Sequence, residues 1–128
     1  MRDILAVLAG LLVGNIAIMG LHYLGMVFYP LPEKVTMNDI KAITEYISIA
    51  PIGSLLFVML AHIGGTFIAG ISTALVSKNI IPIYIIGGFF TLAGIYNLYM
   101  LPHPLWFNIE VIFYFPAAIY SHKLISKQ

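Results

Sequence analysis

Few side chains in this sequence can do chemistry in an apolar setting. They are His22, His62 and Glu110, joined by Asn15, Asn97, His103 and Tyr96. Two histidines and a carboxylate form a donor set for a divalent metal, with Asn97 or water completing the shell. No local spacing such as His-Glu-x-x-His accompanies them. The same groups could carry a proton-coupled path. They could also grip the polar head of a lipid-like ligand, with Tyr23, Tyr96 and Tyr114 adding hydroxyl partners. Against these stands a plainer role. A buried histidine, taken singly, is more often a hydrogen-bonded packing residue, and Glu110 could simply lock the last helix by bonding to His22 or His62. A charged side chain inside a hydrocarbon layer is costly and faces the protein interior, so either role requires these residues to meet.

Composition says what solvent surrounds them. Of 128 residues, 61% are hydrophobic and 9% charged, against about 25% charged in an ordinary soluble domain. That is too little charge to cover a water-facing surface. A formal net charge of +1 gives no basic stripe for nucleic acid. The absence of cysteine excludes disulfides, thiol redox chemistry and thiolate metal sites. No nucleophile elbow, phosphate loop or dinucleotide fingerprint appears, and Gly64-Gly65 and Gly87-Gly88 lie inside apolar runs. A binding or structural protein is expected rather than an enzyme.

Four apolar runs must position the polar groups, over about residues 4–28, 53–76, 80–100 and 104–122. Each approaches the ~17–25 residues that a helical membrane crossing needs. The first run is longer than the ~7–15-residue core of a signal peptide and ends in aromatics and proline, so it reads as a retained span. The expected fold is an all-α membrane protein in one domain, residues 1–128: a four-transmembrane-helix bundle. The long connection, 29–52, opens with Tyr29-Pro30-Leu31-Pro32, which cannot remain helical. After it, Ile40, Ile43 and Ile47 share one face, predicting a short amphipathic helix in this first external loop, capped by Thr36 or Asn38. Pro116 should kink the fourth span.

Orientation follows from lysine and arginine. With both termini cytoplasmic, Arg2, Lys78, Lys123 and Lys127 lie inside, and Lys34 and Lys41 lie outside. The positive-inside rule thus favours N-in/C-in. Trp106, Tyr29, Tyr99 and Phe28 then fall at the outer interface. At 1.5 Å per residue, His22 and Glu110 lie ~9 Å deep and His62 ~13 Å deep, all in the outer half. Asn97 is shallower and His103 sits at the rim. The inner half holds little that is polar beyond Asn15, Ser72 and Thr73. Small residues recur at four-residue spacing, with Gly10 and Gly14 in the first run and Ala61, Gly65, Ala69 and Thr73 in the second. They permit close helix contact in lipid, within this bundle or between copies in a homo-oligomer.

Several features together resemble a family of small, uncharacterised bacterial four-span membrane proteins. These are Tyr29-Pro30, Asn38-Asp39 through Tyr46-Ile47 to Pro51, and Ala61-His62-Ile63-Gly64-Gly65 to Gly70. Asn97 and Leu101-Pro102-His103-Pro104-Leu105-Trp106-Phe107 complete the set. The resemblance implies the four-span fold and a bacterial cytoplasmic-membrane location, and carries no activity. The small multidrug transporters are similar in size, but their acidic residue lies in span one, where this chain has none between Asp3 and Glu33. Three readings of function remain. One is ligand, lipid or metal binding at an outer-half site of His22, His62, Asn97, Glu110, His103 and Tyr96. Another is an accessory protein whose polar cluster only locks the helices. The third is a small oligomeric transporter.

Overall fold

The computed structural model describes residues 1–127, and every regular element in it is helical. There are five α-helices: α1 (Arg2–Phe28), α2 (Ile40–Ile49), α3 (Ile52–Val76), α4 (Ile81–Met100) and α5 (Val111–Ser126). A 3₁₀ segment, Leu105–Glu110, runs directly into α5. Three helices, α1, α3 and α4, are long and apolar enough to cross a membrane. Their outward faces carry Leu8, Leu12, Ile16, Met19, Leu60 and Leu92, all exposed. An apolar surface of that extent is a lipid-facing surface, not one that water tolerates.

α3 is the central element and packs against α1, α4 and α5. Small residues make this possible. Gly10 and Gly14 of α1 lie against Ala69 and Thr73 of α3, and Gly65 of α3 lies against Ile18 of α1. A methyl group on Gly14 would stand 2.6 Å from the Ala69 Cβ. On the other side of α3, Gly70 approaches Ser121 and the Ala118 carbonyl of α5. The glycine-rich spacing therefore serves contacts within the chain. Where no hydrophobic force drives helices together, such close van der Waals contact holds them.

The fourth apolar run departs from a simple helix. The sequence predicts one span over residues 104–122. Instead the six residues after Pro104 wind as a 3₁₀ segment, Leu105–Glu110, and the α-helix starts only at Val111 and continues to Ser126. In a 3₁₀ helix residues i and i+3 eclipse. Phe107 and Glu110 thus point the same way, and both are fully buried. Tyr114, Ala118 and Ser121 continue that buried face along α5. Pro116 lies within α5, on its exposed side, and the helix runs through it.

The predicted amphipathic helix forms as α2, with two differences. Its cap is Asp39, whose carboxylate accepts from the Ala42 N–H at 3.1 Å, and not Thr36 or Asn38. Those two lie in the preceding turn, where the Asp39 N–H donates to the Thr36 carbonyl. The buried face is Ile43 and Ile47, which pack with Leu55 and Phe107, whereas Ile40 is exposed.

The opposite end is tied by polar contacts. Ser77 Oγ and Asn79 Nδ2 donate to the Asp3 carboxylate, Arg2 Nε donates to the Val76 carbonyl, and His122 Nε2 donates to the Lys78 carbonyl. The N-terminus, the α3–α4 turn and the end of α5 therefore meet there.

The α1–α3 contact predicts a sharp positional contrast. Gly65→Leu should lower thermal stability in detergent, by about 1–3 kcal/mol or more as an overpacked core does. Gly20→Leu, at a position with open space around it, should leave the melting temperature unchanged. Equal effects would refute the contact.

Candidate functional site

The site is a polar layer set between two apolar clusters. Toward α2 lies the cluster of Ile43, Ile47, Leu55 and Phe107. Toward the termini lies that of Ala69, Ala74, Ile83, Ile86, Phe90 and Ala118. On α3, Leu55, His62 and Ala69 are seven residues apart, about two turns, so one face passes from apolar to polar and back. On the last segment Phe107, Glu110, Tyr114 and Ala118 make the same passage.

Within the layer, His62 and Glu110 meet. The His62 Nδ1–H donates to the carboxylate, at 3.2 Å from Oε1 and 3.3 Å from Oε2. The Tyr114 hydroxyl stands 3.3 Å from the same nitrogen. Glu110 has no exposed surface, and the His62 side chain is 15% exposed. The Thr66 hydroxyl is spent on the His62 carbonyl one turn back, at 2.8 Å, a local bond that leaves its proton unavailable to the site.

His22 comes to the layer from α1. Its ring lies against His62, with centroids 5.1 Å apart. Its Nε2 is buried without a hydrogen-bond partner. Among the described residues the Asn97 amide and His62 Nε2 also make no hydrogen bond to the protein. His103 stacks on Phe107, with centroids 4.3 Å apart, and its Nδ1–H donates to the Leu101 carbonyl. Burial pushes the His103 imidazole below its usual range, more than that hydrogen bond and the distant Glu110 charge raise it.

Two cavities border this layer. The first, of about 180 Å³, lies beneath α2 and the preceding loop. His22, His62, Asn97 and His103 line it together with apolar walls that include Ile47 and Phe57. The second, of about 240 Å³, lies between α1 and α4, with Asn15, Thr66, Ala93 and Tyr114 on its walls. His62 and Asn97 line both.

The seven residues singled out in the sequence therefore divide. His22, His62, Asn97 and His103 share the first cavity. Asn15 lines the second, with its amide donating to the Leu11 carbonyl of its own helix at 2.7 Å. Glu110 lines neither and is closed onto His62. Tyr96 is 63% exposed on the outer face of α4, and Tyr23 likewise faces outward. His22, His62 and Glu110 do not assemble as a metal site: among the described residues no group of three or more His, Asp or Glu side chains is placed to hold an ion. The geometry explains this. Both carboxylate oxygens are turned to His62 Nδ1 and not to a centre shared with the two imidazoles, and His22 meets His62 ring against ring.

Tyr114 is the residue whose part was least visible in the sequence, where it stood among three tyrosines. Its signal was its spacing of four from Glu110. The Asp3–Ser77–Asn79 contact at the other end was also missed, although the similar lengths of the first two runs bring those residues close to level. Comparison with family models, with curated proteins and with solved structures finds no match to this chain.

The layer predicts opposite responses from neighbouring histidines. His62→Leu or Glu110→Leu strands a buried polar partner and should cost about 1–3 kcal/mol. His22→Phe keeps the ring and removes an unpartnered nitrogen, so the ligand-free protein should be equally or more stable. Thermal denaturation in detergent measures both, and a large loss from His22→Phe would contradict the division.

Proposed function

We propose that this protein is a four-span bundle of the bacterial cytoplasmic membrane, N-in/C-in, that binds a small ligand in its outer half beneath α2. In this reading the 3₁₀ segment and α5 together make the fourth crossing. The resemblance to small bacterial four-span proteins belongs to the same proposal. Lysine and arginine distribution supports the orientation.

One observation carries the binding reading: His22 Nε2, buried and without a partner beside a cavity. A buried polar atom left unpaired costs about 1–3 kcal/mol, and an empty apolar-walled space gives back no dispersion energy. A ligand that fills the cavity and bonds to the ring offsets both. The Asn97 amide, on the same wall, adds a donor and an acceptor. Glu110 and Tyr114 then serve as supports that hold His62 in place.

A bound molecule should survive gentle extraction and appear as added mass in native mass spectrometry. The paired substitution His22→Phe with Asn97→Leu should remove it and leave a folded, monodisperse protein. If wild type carries only the polypeptide mass, or the variant keeps the same added mass, the binding reading fails.

Topology has a separate test, aided by the absence of cysteine. Lys34→Cys should react with a membrane-impermeant maleimide on intact cells. Lys78→Cys and Lys127→Cys should react only after permeabilisation. The reverse pattern, or labelling of all three on intact cells, would overturn the N-in/C-in arrangement.

A further inference from the structure

The cavity between α1 and α4 goes beyond a pocket under a surface loop, because of where it opens. Toward the termini the two helices touch: positions Gly10 and Gly14 of α1 lie close to Ile86 and Phe90 of α4. Toward α2 they part. There α1 turns to α3, with Gly25 against Phe57, and the space between α1 and α4 is the 240 Å³ cavity. Its rim residues Asn15, Phe89 and Ala93 are exposed on the flank of the molecule, among the outward apolar side chains. Its inner wall reaches His62 and Asn97, which also bound the cavity beneath α2. Singly, each volume falls short of the ~300–1,000 Å³ of ligand sites; taken together they reach it.

The charge of the walls restricts what can occupy them. Neither cavity is lined by lysine, arginine, aspartate or glutamate. A phosphate head buried here would lack a cation, and an ammonium head would lack an anion, each at heavy cost. What the walls do offer is the His22 and His62 imidazoles and the Asn97 amide, which suit carbonyl or hydroxyl oxygens. The apolar side chains around them suit a compact apolar head body.

We propose that the ligand is a membrane lipid with an uncharged, oxygen-bearing head, of the chemical class of an isoprenoid quinone, taken sideways from the bilayer through the cleft between α1 and α4. Its head oxygens meet His22, His62 and Asn97 where the two cavities adjoin, its head body lies beneath α2, and its chain leaves past Ala93 into the membrane. This rests on the binding reading above and names its ligand class and route.

The test uses full-length protein in nanodiscs doped in turn with an isoprenoid quinone, a long-chain prenol, a diacylglycerol or phosphatidylglycerol, followed by native mass spectrometry. Retention of the quinone over phosphatidylglycerol should be about tenfold or more, a difference of about 1.4 kcal/mol. Ala93→Trp, at an exposed rim position, should block the cleft and abolish retention. Asn15→Phe blocks it from the α1 side and serves if the first variant fails to fold. Preference for phosphatidylglycerol, for the prenol or for the diacylglycerol overturns the assignment of head chemistry. Undiminished retention in the folded blocked variant overturns the route. If wild type carries a water-soluble molecule instead, the lipid inference falls while the binding reading stands. If no arm and no native extract shows bound mass, both fall.

Discussion

Glu110 has no exposed surface, and the His62 imidazole hydrogen-bonds to both of its carboxylate oxygens. A buried carboxyl group without a partner would cost several kcal/mol in an apolar medium, so the last segment can seat only where that imidazole is. This contact sets the depth of the 3₁₀ turn against α3. It also sets the height of Phe107, three residues earlier on the same face, and so the floor on which Ile43 and Ile47 of α2 rest. The α2 lid, the cavity beneath it and the register of α5 on α3 all follow from this one polar pairing.

The helices on either side of that pairing are held by a different means. Gly10, Gly14, Gly65 and Gly70 let backbones approach until side chains of the neighbouring helix fill the space a Cβ would take. Dispersion at such distances is small per atom pair and large in sum. Toward the termini the packing is close and apolar, and it is sealed at its end by Asp3, Ser77 and Asn79. Toward α2 it is looser, and there the cavities and the unpartnered nitrogens lie. Tight packing at one end thus leaves room for a site at the other.

The polar layer has two kinds of member. His62 Nδ1, Glu110 and Tyr114 satisfy one another and act as structure. His22 Nε2, His62 Nε2 and the Asn97 amide have no protein partner, and their residues line the cavity beneath α2. The opposed readings of the polar cluster, lock or site, therefore apply to different atoms. In His62 they apply to the two nitrogens of one ring, and a group held rigid on one side is well prepared to meet a ligand on the other.

The sequence alone determined the elements, because hydropathy and helix rise are local properties. Residues 4–28, 53–76 and 80–100 read as helices from the length of their apolar runs, and α2 from the spacing of its isoleucines. Even the common depth of His22, His62 and Glu110 followed from counting residues. Tertiary structure decided what counting cannot reach. Depth along a helix leaves rotation about its axis open, and rotation is settled only by packing. That is why Glu110 turned to His62 while His22 kept a free nitrogen, and why Tyr96 faced outward. It is also why the expected metal donors met as a hydrogen-bonded pair and a ring contact. The 3₁₀ start of the last segment was likewise beyond local pattern, since its tighter winding is what brings Phe107 and Glu110 onto one buried line.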